Sequence, residues 1–554
     1  MKSKKKFWWI ITISVLLALI VGLFAGSFIS GRSFGRNLFL FGNNKINVIL
    51  DVINEDYVDS INMKDLAEEA IVSIISGLDP HSVYIPGRDL QSVNEGMDGH
   101  FGGIGADFFL HLDTIVIVSV THGSPSEQAG LLRGDRIITI NGSSYIGTST
   151  ITEEKVLNMV RGEVGTSIKL GIQRDSSDKI IQFEIKRGEI PLTTVRAAYQ
   201  ADEGIGLIKI YDKFSHTTYN EFIKAMAKLM SLGCKSFIID LRMNGGGTLD
   251  AAINIANEFL PTGSIIVYTE GKSFPREEAR ANGTGTCQQS PVVILTDQMS
   301  ASASEIVAGA IQDNDRGLII GRRSFGKGLV QNQIALSDGS ALRLTIARYF
   351  TPSGRNIQRK YELGKANEYN QVWINQLTNG EGFHEDSIKL DKTLEYKTVY
   401  GRSVYGGGGI MPDLFVPIDT INITTYYRRL ETKGIFNQFA FNYSDNNRTE
   451  LNKFKNYPEM LEYLKSQPLL NEIVRYAEEN GVKRRSNLIT RSADHILTTT
   501  YAFILRNFFG DEAFYPIYMS NDPDVKKAIE VIQQGEANMD AIRQRVRIQE
   551  LPEP

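Results

Sequence analysis

Three serines occupy alternate positions in the segment TDQMSASASEIVAG, namely Ser300, Ser302 and Ser304. Ser302 lies between the apolar run PVVILTD, which predicts a strand, and a predicted helix over residues 303–313. A side chain at a helix N-terminus lies where the positive end of the helix dipole stabilises developing negative charge, which suits a nucleophile. An N-cap serine fits the same position and, taken alone, is the commoner role. Ser302 is therefore a candidate nucleophile that needs a base.

Lys327 is the candidate base. It lies in GRRSFGKGLVQ, 25 residues after Ser302, and no histidine occupies the glycine-rich turns of this region. A lysine with its usual pKa of about 10.4 is charged at neutral pH, but burial in an apolar site lowers that pKa by several units. The uncharged neighbours Phe325, Gly326 and Gly328 are compatible with burial. Serine–lysine pairs are an established form of nucleophilic catalysis.

The Lys327 segment also partly matches a phosphate-binding loop. GRRSFGK fits the pattern G-x-x-x-x-G-K, but Gly328 follows in place of the Ser or Thr that would hold Mg²⁺. The next residues, GLVQNQIAL, predict a strand where that motif requires a helix. Nucleotide binding is therefore the weaker alternative.

The net charge of −4 gives no electrostatic reason to expect nucleic acid as a partner.

A glycine-rich turn is the third chemical feature. In DLRMNGGGTLDAA a predicted strand passes through Asn244, Gly245, Gly246 and Gly247 into a predicted helix. Glycines let backbone N–H groups turn toward a ligand oxygen without interference from side chains, as an oxyanion hole requires. A plain glycine turn is the alternative interpretation.

Strands and helices alternate through the segment that carries these features, which indicates a multidomain α/β protein. Near-continuous apolar runs such as GIGLIKI, SFIIDLR and GLIIG alternate with predicted helices, as in a buried parallel sheet. We place this α/β domain at residues 191–420, with a polar, irregular insertion at 360–395. Residues 35–97 predict a helical segment, and residues 421–554 predict a helical C-terminal region.

Residues 98–190 show short strand-like runs and resemble a PDZ domain of the protease-associated type. The resemblance rests on GGIGADFFL followed by SPSEQAGLLRGDRIITINGSSY. A loop of small residues exposes backbone N–H groups to a peptide's terminal carboxylate, and an adjacent strand edge accepts the peptide as an added strand. By this resemblance the carboxylate loop consists of Gly103, Ile104 and Gly105.

The motifs DLRMNGGG, SASASEIVAGAIQD, GRRSFGKGLVQ, TPSGRNI and GGIMPD together resemble the carboxyl-terminal processing peptidases, also called tail-specific proteases. The resemblance runs from about residue 44 to 420 and implies a crotonase-like serine peptidase domain behind the PDZ domain. It implies Ser302 as the nucleophile, Lys327 as the base and Gln331 as a residue supporting the lysine. It implies neither a metal nor a cofactor.

The same resemblance assigns supporting positions. Asp313, at the end of the predicted helix, would support the site. The oxyanion hole would consist of the backbone N–H groups of Ala303 and of Gly246 or its neighbour Gly247. The family usually has NPGG where this chain has NGGG, so Gly245 replaces a proline.

The N-terminus predicts a membrane anchor. Residues 1–6 form a basic stub, and the following 23 residues, 7–29, are uncharged. As a helix this run would span about 34 Å, enough to cross a hydrocarbon core of about 30 Å. The lysines among residues 1–6 keep the N-terminal end of this run in the cytoplasm, so the later domains lie outside the cytoplasm. Cleavage of the segment near residues 25–27 is the alternative.

The two cysteines, Cys234 and Cys287, each precede an apolar strand-like run. If those runs are parallel neighbours, the two sulfurs could come within bridging distance in an oxidising compartment. Two unrelated buried thiols are the alternative, which we favour.

The sequence thus predicts a membrane-anchored serine endopeptidase of the cell envelope that binds protein C-terminal tails through its PDZ domain. Its catalytic part would be extracytoplasmic, and periplasmic in a cell with an outer membrane. A homo-oligomer or an activating partner is a further expectation from the resemblance. A noncatalytic PDZ scaffold and a nucleotide-binding protein are the rival functions.

Overall fold

The N-terminal unit is residues 1–78, and its described part includes two helices after residue 44. The computed structural model describes residues 14–19, 21–22, 45–111, 114–144, 152–174, 179–420, 422–538 and 540–542. Helix α1 spans Lys45–Asp56 and helix α2 spans Met63–Ser76. Asn62 caps α2, because its side chain accepts the Lys64 N–H at 3.1 Å.

The predicted membrane segment falls mostly outside the described residues. Residues 14–19 and 21–22 of it are helical, whereas the rest of 7–29 and the basic residues 1–6 are not described. Across the described ranges, no helix has both the length and the apolar composition needed to cross a membrane. The anchor therefore stays a prediction from the sequence.

The second unit, residues 79–554, opens with strand β1 (Val83–Ile85) and helix α3 (Gly87–Asp98). A small antiparallel domain follows, whose strands are β2 (His100–Gly103), β3 (Ala106–His111), β4 (Thr114–Val120), β5 (Arg136–Ile140), β6 (Ser143–Ser144), β7 (Ser167–Gln173), β8 (Ile180–Lys186) and β9 (Gly188–Pro191). Its helices are α4 (Pro125–Ala129) and α5 (Glu153–Val160). The sheet order β3-β4-β5-β7-β8 leaves β3 as an edge strand.

The α/β domain is built on a mainly parallel sheet of order β10-β11-β13-β17-β18-β23. The strands of the domain are β10 (Val195–Asp202), β11 (Ile205–Ile210), β12 (Asp212–Phe214), β13 (Ser236–Asp240), β14 (Asn244–Gly247), β15 (Ile265–Glu270), β16 (Glu277–Arg280), β17 (Val292–Thr296), β18 (Leu318–Gly321), β19 (Leu329–Ala335), β20 (Ala341–Phe350), β21 (Glu395–Lys397), β22 (Ser403–Tyr405) and β23 (Leu414–Phe415). Its helices are α6 (Thr218–Ser231), α7 (Leu249–Asn257), α8 (Ala303–Asp313) and α9 (Ala366–Thr378). A second, antiparallel sheet joins β1, β20, β15 and β16, with β19 paired to β20.

The C-terminal region is helical, as predicted. Its helices are α10 (Thr425–Thr432), α11 (Ile435–Asn446), α12 (Arg448–Leu451), α13 (Tyr457–Lys465), α14 (Leu469–Glu479), α15 (Ser486–Arg491), α16 (Ala493–Phe509), α17 (Asp511–Tyr518) and α18 (Pro523–Gln533). Most of them share one apolar core, which includes Leu430, Phe436, Leu464, Ile473 and Leu505.

Both faces of the parallel sheet are covered. Successive side chains of a strand point to opposite faces, so Ile239 packs with helices α6 to α8 while Ile238 packs on the other side. That second face is covered by α18, through Val525, Ala528 and Val531. Double coverage explains why the strands are apolar at nearly every position. The α/β domain, predicted to end at residue 420, therefore depends on a later helix, because α18 packs against its sheet and completes its apolar core.

Buried ion pairs join α18 to the sheet. Arg242, just after β13, donates to Asp522 at 2.9 Å and to Asp524 at 2.6 Å. Arg322, just after β18, donates to the same Asp524 at 3.0 Å. Asp524 is buried, and Arg242 also pairs with Asp240. The C-terminal helix thus holds the carboxyl ends of two parallel strands.

Helices α11 and α12 also contact the PDZ-like domain. Phe441 meets Phe109 of the edge strand β3 edge-to-face, with ring centroids 4.8 Å apart. Arg448 donates to the Arg133 carbonyl at 3.1 Å, and Asp445 lies 3.5 Å from Arg136. The C-terminal region therefore contacts both of the domains that precede it.

The segment predicted as an insertion at 360–395 is not irregular throughout, because it contains the 13-residue helix α9 and two short 3₁₀ turns at Glu385–Ser387 and Lys392–Leu394. Of the α9 side chains that are described, only that of Tyr369 is buried, while Val372 and Ile374 are exposed. A helix that buries so little carries no apolar stripe for the sequence to reveal.

The two cysteines are unpaired thiols, which is the favoured interpretation, and the alternative disulfide is absent. β13 and β17 are parallel neighbours as expected, but Cys234 and Cys287 are both free and buried. Burial raises the pKa of both thiols, so they stay protonated at neutral pH.

Candidate active site

Three chain segments meet at the carboxyl ends of the parallel strands. β13 runs into the glycine turn, β17 into the turn before α8, and β18 into the segment of Lys327. Carboxyl ends of parallel strands share one edge of the sheet, which is where α/β proteins commonly place their ligands. The segments line a cleft of about 850 Å³ that contains Gly246, Ser302, Lys327, Gln331 and Tyr349.

Ser302 precedes α8 with a strained backbone. Its φ of 53° and ψ of −111° are unusual for a residue with a side chain, and such strain is characteristic of functional turns. Every other residue from 301 to 310 is buried, whereas Ser302 is partly exposed in the cleft. Ser302 and Glu305 form a capping box at the start of α8, so an N-cap role accompanies the exposure of this side chain in the cleft.

Glu305 joins the Ser302 turn to the Lys327 segment. Its Oε2 accepts the N–H of Ser302 at 2.8 Å and the N–H of Lys327 at 2.9 Å. Its Oε1 accepts the Gly326 N–H at 2.7 Å and the Ser324 hydroxyl at 2.5 Å. The side chain is fully buried, and this burial raises its pKa to about 7 against the opposing effect of the four donors.

Lys327 has the environment that a base requires. Burial lowers the pKa of its amine, and the positive charge of Arg343 acts in the same direction. The Nζ donates to Gln331 Oε1 at 2.9 Å, which fixes the amine in the cleft. The structure therefore brings the candidate residues Ser302, Lys327 and Gln331 into one cleft.

The turn at residues 79–82 orients Gln331. The amide of Gln331 donates to the backbone carbonyl of His81. Asp79 fixes that turn by accepting the N–H of His81 and of Ser82, each at 2.9 Å, and the hydroxyl of Thr345 at 3.0 Å. Burial, followed by the charge of Lys327, lowers the pKa of His81 to about 4, so its imidazole is neutral at physiological pH.

The glycine turn touches the Ser302 turn directly. A Cβ placed on Gly246, whose φ is +95°, would lie 2.6 Å from the Ser302 Cβ and 3.0 Å from the Ala303 nitrogen. The Gly246 N–H itself donates to Asn244 Oδ1 at 2.9 Å. A Cβ on Gly247 would lie 2.0 Å from the Phe214 carbonyl oxygen. Both positions therefore require glycine.

Gly245 is not constrained in the same way. A Cβ there would meet only the Asp212 carbonyl oxygen, at 3.8 Å. Space therefore does not require a glycine at the position where the resembling family carries proline.

Family models match three parts of the chain. The model of peptidase family S41 matches residues 204–365, a PDZ domain model matches 116–174, and a family of unknown function matches 426–510. A probable CtpA-like serine protease of Staphylococcus aureus (strain MRSA252) is 34% identical over 361 residues, covering 64% of this chain and 71% of that protein. A carboxy-terminal-processing protease of Bartonella bacilliformis (strain ATCC 35685) is 33% identical over 356 residues, covering 62% and 81%.

The chain belongs to peptidase family S41. It is a serine peptidase of the carboxy-terminal processing type with a PDZ domain, so the scaffold and nucleotide-binding alternatives are set aside. Among solved structures, the photosystem II D1 C-terminal processing protease aligns over 56% of this chain and 82% of its own, with 25% identity and a TM-score of 0.32.

Asp313 does not join the catalytic cluster of this peptidase. It lies at the far end of α8, about 16 Å from Ser302 along the helix. There it is fully buried and accepts Arg355 Nη2 at 2.7 Å and the Ser353 hydroxyl at 2.6 Å. Asp313 thus anchors the TPSGRNI segment and contacts neither Ser302 nor Lys327 through its side chain.

The predicted carboxylate loop lies just before the edge strand β3. Gly103 ends β2, Ile104 is buried and Gly105 has a φ of +74°. The carbonyl of Ile104 accepts the Ser126 N–H at 2.8 Å, and that of Gly105 accepts the Thr121 N–H at 2.9 Å. The carbonyls of the loop are thus bound to the segment around α4.

Two residues of the site were missed by the sequence analysis. Glu305 could have been found, because Ser302 and Glu305 form the S-x-x-E pattern of a helix N-terminus. Tyr349, whose hydroxyl contacts the Ser302 turn, carries no comparable local signal, since 47 residues separate the two in the chain.

We expect the activity to fall as pH drops, with two ionisations on the acid limb, that of Glu305 near pH 7 and that of Lys327 at a pKa below its usual value. If Lys327 is the base, it must be neutral to accept a proton, and Glu305 must be ionised to accept the two N–H groups on its Oε2. Protonation of either Lys327 or Glu305 inactivates the enzyme, so the slope of log kcat/KM against pH should approach 2 at low pH. Glu305→Gln removes one titrating group and should lower that slope to about 1, with kcat reduced about tenfold or more.

Glu258→Gln is the matched control, because Glu258 is a buried glutamate in the same domain that accepts Tyr219 and Thr286 instead. Its pH profile should match that of the wild type. A Glu305→Gln profile that overlays the wild-type curve would contradict the role of Glu305.

Proposed function

We propose that this S41 peptidase is a membrane-anchored envelope endopeptidase with a Ser302–Lys327 catalytic dyad, and that it cleaves proteins recognised by their C-terminal tails. The observation that carries the dyad is the shared cleft, in which the two residues are tied through their backbones to one carboxylate. The lowered pKa of Lys327 supports its role as the base.

The proposed reaction uses only residues of this chain. Neutral Lys327 takes the proton of Ser302, whose Oγ attacks a peptide carbonyl carbon. Lys327 then gives that proton to the leaving amine, and an acyl-enzyme ester remains on Ser302. A water molecule, deprotonated by Lys327, attacks the ester and releases the acid and free Ser302. Gln331 holds the amine in place throughout.

The oxyanion would be held by the Ala303 N–H together with one glycine N–H. Gly246 lies against Ser302 but donates to Asn244, so it serves only after this bond opens. The neighbouring Gly247 is the alternative donor.

The PDZ domain would bind the substrate tail. β3 is an edge strand and follows directly on the Gly103–Ile104–Gly105 loop, so a tail could add to β3 while its carboxylate meets the loop. Among such tails, the PDZ domain would prefer those whose terminal residues are small or apolar.

We expect Ser302→Ala and Lys327→Ala each to lower the cleavage rate of an unfolded protein by at least about 10³-fold, because each removes one half of the proton transfer. Fragments are quantified by mass spectrometry with the purified full chain. Lys213→Ala is the control, since Lys213 lines the same cleft and should be dispensable for the chemistry. Cleavage by either dyad variant within tenfold of the wild type would reject the dyad.

A peptide with a free C-terminal carboxylate should bind Ser302→Ala protein at least about tenfold more tightly than its amidated form, because charge-assisted hydrogen bonds are lost with the carboxylate. Fluorescence anisotropy measures both. Adding Gly105→Ala should abolish the difference, because a Cβ there would lie 2.3 Å from the Ser124 Cβ. Gly123→Ala is its matched control, with a similar φ of +75° and open space around the added Cβ. Equal binding of both peptides would refute tail recognition.

The full chain should remain in the membrane pellet after an alkaline carbonate wash, because residues 7–29 are long enough to span the bilayer. A variant lacking residues 7–29 should move to the supernatant. Recovery of the full-length chain, with an intact N-terminus, in the supernatant would contradict the anchor. Protease added outside spheroplasts should degrade the catalytic part if it is extracytoplasmic.

A further inference from the structure

The hydroxyl of Tyr349 contacts the backbone carbonyls of both Ser302 and Lys327. Tyr349 belongs to β20, and its side chain is buried in the core beside the cleft. The hydroxyl donates to the Lys327 carbonyl at 2.6 Å and lies 3.1 Å from the Ser302 carbonyl oxygen. One atom thus contacts the backbone of both members of the dyad.

Tyr349 is itself held rigidly. Its N–H donates to the Gly328 carbonyl at 3.1 Å, and its own carbonyl accepts Asn356 Nδ2 at 2.7 Å. β20 also pairs with β19, the strand that begins two residues after Lys327. Burial, followed by the charge of Glu305, raises the pKa of the Tyr349 phenol well above its usual value, so the hydroxyl remains a donor.

Tyr349 and Glu305 contact the same two residues, but Glu305 binds their backbone N–H groups and Tyr349 contacts their backbone carbonyls. Glu305 Oε2 accepts the N–H of Ser302 and of Lys327, whereas the Tyr349 hydroxyl contacts the carbonyl of each. The two peptide segments are thereby bridged twice. Misplacing a reacting group by about 1 Å costs an enzyme as much as about 10²-fold in rate, so such bridges bear directly on catalysis.

We propose that Tyr349 is a positioning residue of the dyad, whose hydroxyl sets the separation of Ser302 and Lys327 and keeps the lysine amine within the cleft. The inference rests on the proposed Ser302–Lys327 dyad. Without the hydroxyl, the buried Lys327 carbonyl loses this donor and its segment relaxes toward water. The lysine amine is then better hydrated, which favours its charged form.

Tyr349→Phe in the full chain tests this. The ring and its packing remain, so KM should change less than about threefold, while kcat falls by about 10- to 100-fold. The acid limb of the pH–rate profile should also move to higher pH, because the pKa of Lys327 rises. A role in stability alone would lower the melting temperature but leave the pH profile in place.

Tyr427→Phe is the matched control. Its hydroxyl makes a buried hydrogen bond to Thr499 at 2.9 Å within the C-terminal helices. Loss of this hydrogen bond should lower the melting temperature about as much as Tyr349→Phe does, but leave kcat and the pH profile unchanged.

As a second readout, acetylation of Lys327 by limiting acetic anhydride should be slower at pH 7 in Tyr349→Phe than in the wild type, because more of the amine is charged.

Ser302→Ala and Lys327→Ala are assayed alongside. If these variants are inactive and Tyr349→Phe has the wild-type kcat, pH profile and acetylation rate, the positioning role is overturned and the dyad stands. If either alanine variant stays active, the proposed dyad itself is wrong. Loss of kcat with a shifted acid limb in Tyr349→Phe alone supports the inference.

Discussion

Glu305 Oε2 accepts two backbone N–H groups from segments 25 residues apart in the chain, those of Ser302 and Lys327. This shared oxygen lets a strained turn and a separate loop act as one site. The carboxylate must be buried to reach both donors, and burial moves its pKa to about 7. Ionisation of Glu305 is thus coupled to the geometry of the proposed dyad.

The parallel sheet supplies the frame for that bond. β17 leads to Ser302 and β18 leads to Lys327, so the two segments leave the sheet as neighbours. Asp524 of α18 holds Arg322, at the start of the Lys327 segment, and also Arg242, before the glycine turn. A helix near the end of the described chain therefore anchors the ends of two strands that lead into the site.

Local motifs explain why much of the site could be predicted from the sequence. Ser302, Lys327 and the glycine turn each lie within a short sequence pattern, and the chemistry of that pattern can be inferred without knowing the fold. Tyr349 could not be predicted this way, because its role depends on the pairing of β20 with β19. The position of Asp313 at the end of α8 was predicted, but no local pattern indicates its partner Arg355, which lies 42 residues later in the chain. Likewise, the apolar positions of α18 predict a helix but not the sheet it covers.

Three features of the cleft each oppose stability. Ser302 has a positive φ, Lys327 is partly buried with a lowered pKa, and Glu305 is fully buried. Each persists only where the surroundings over-determine the geometry. A sheet packed on both faces provides such surroundings, and α18 supplies one of those faces. The catalytic unit of this peptidase is therefore the sheet with both its helical layers, and it extends past residue 420 to include α18.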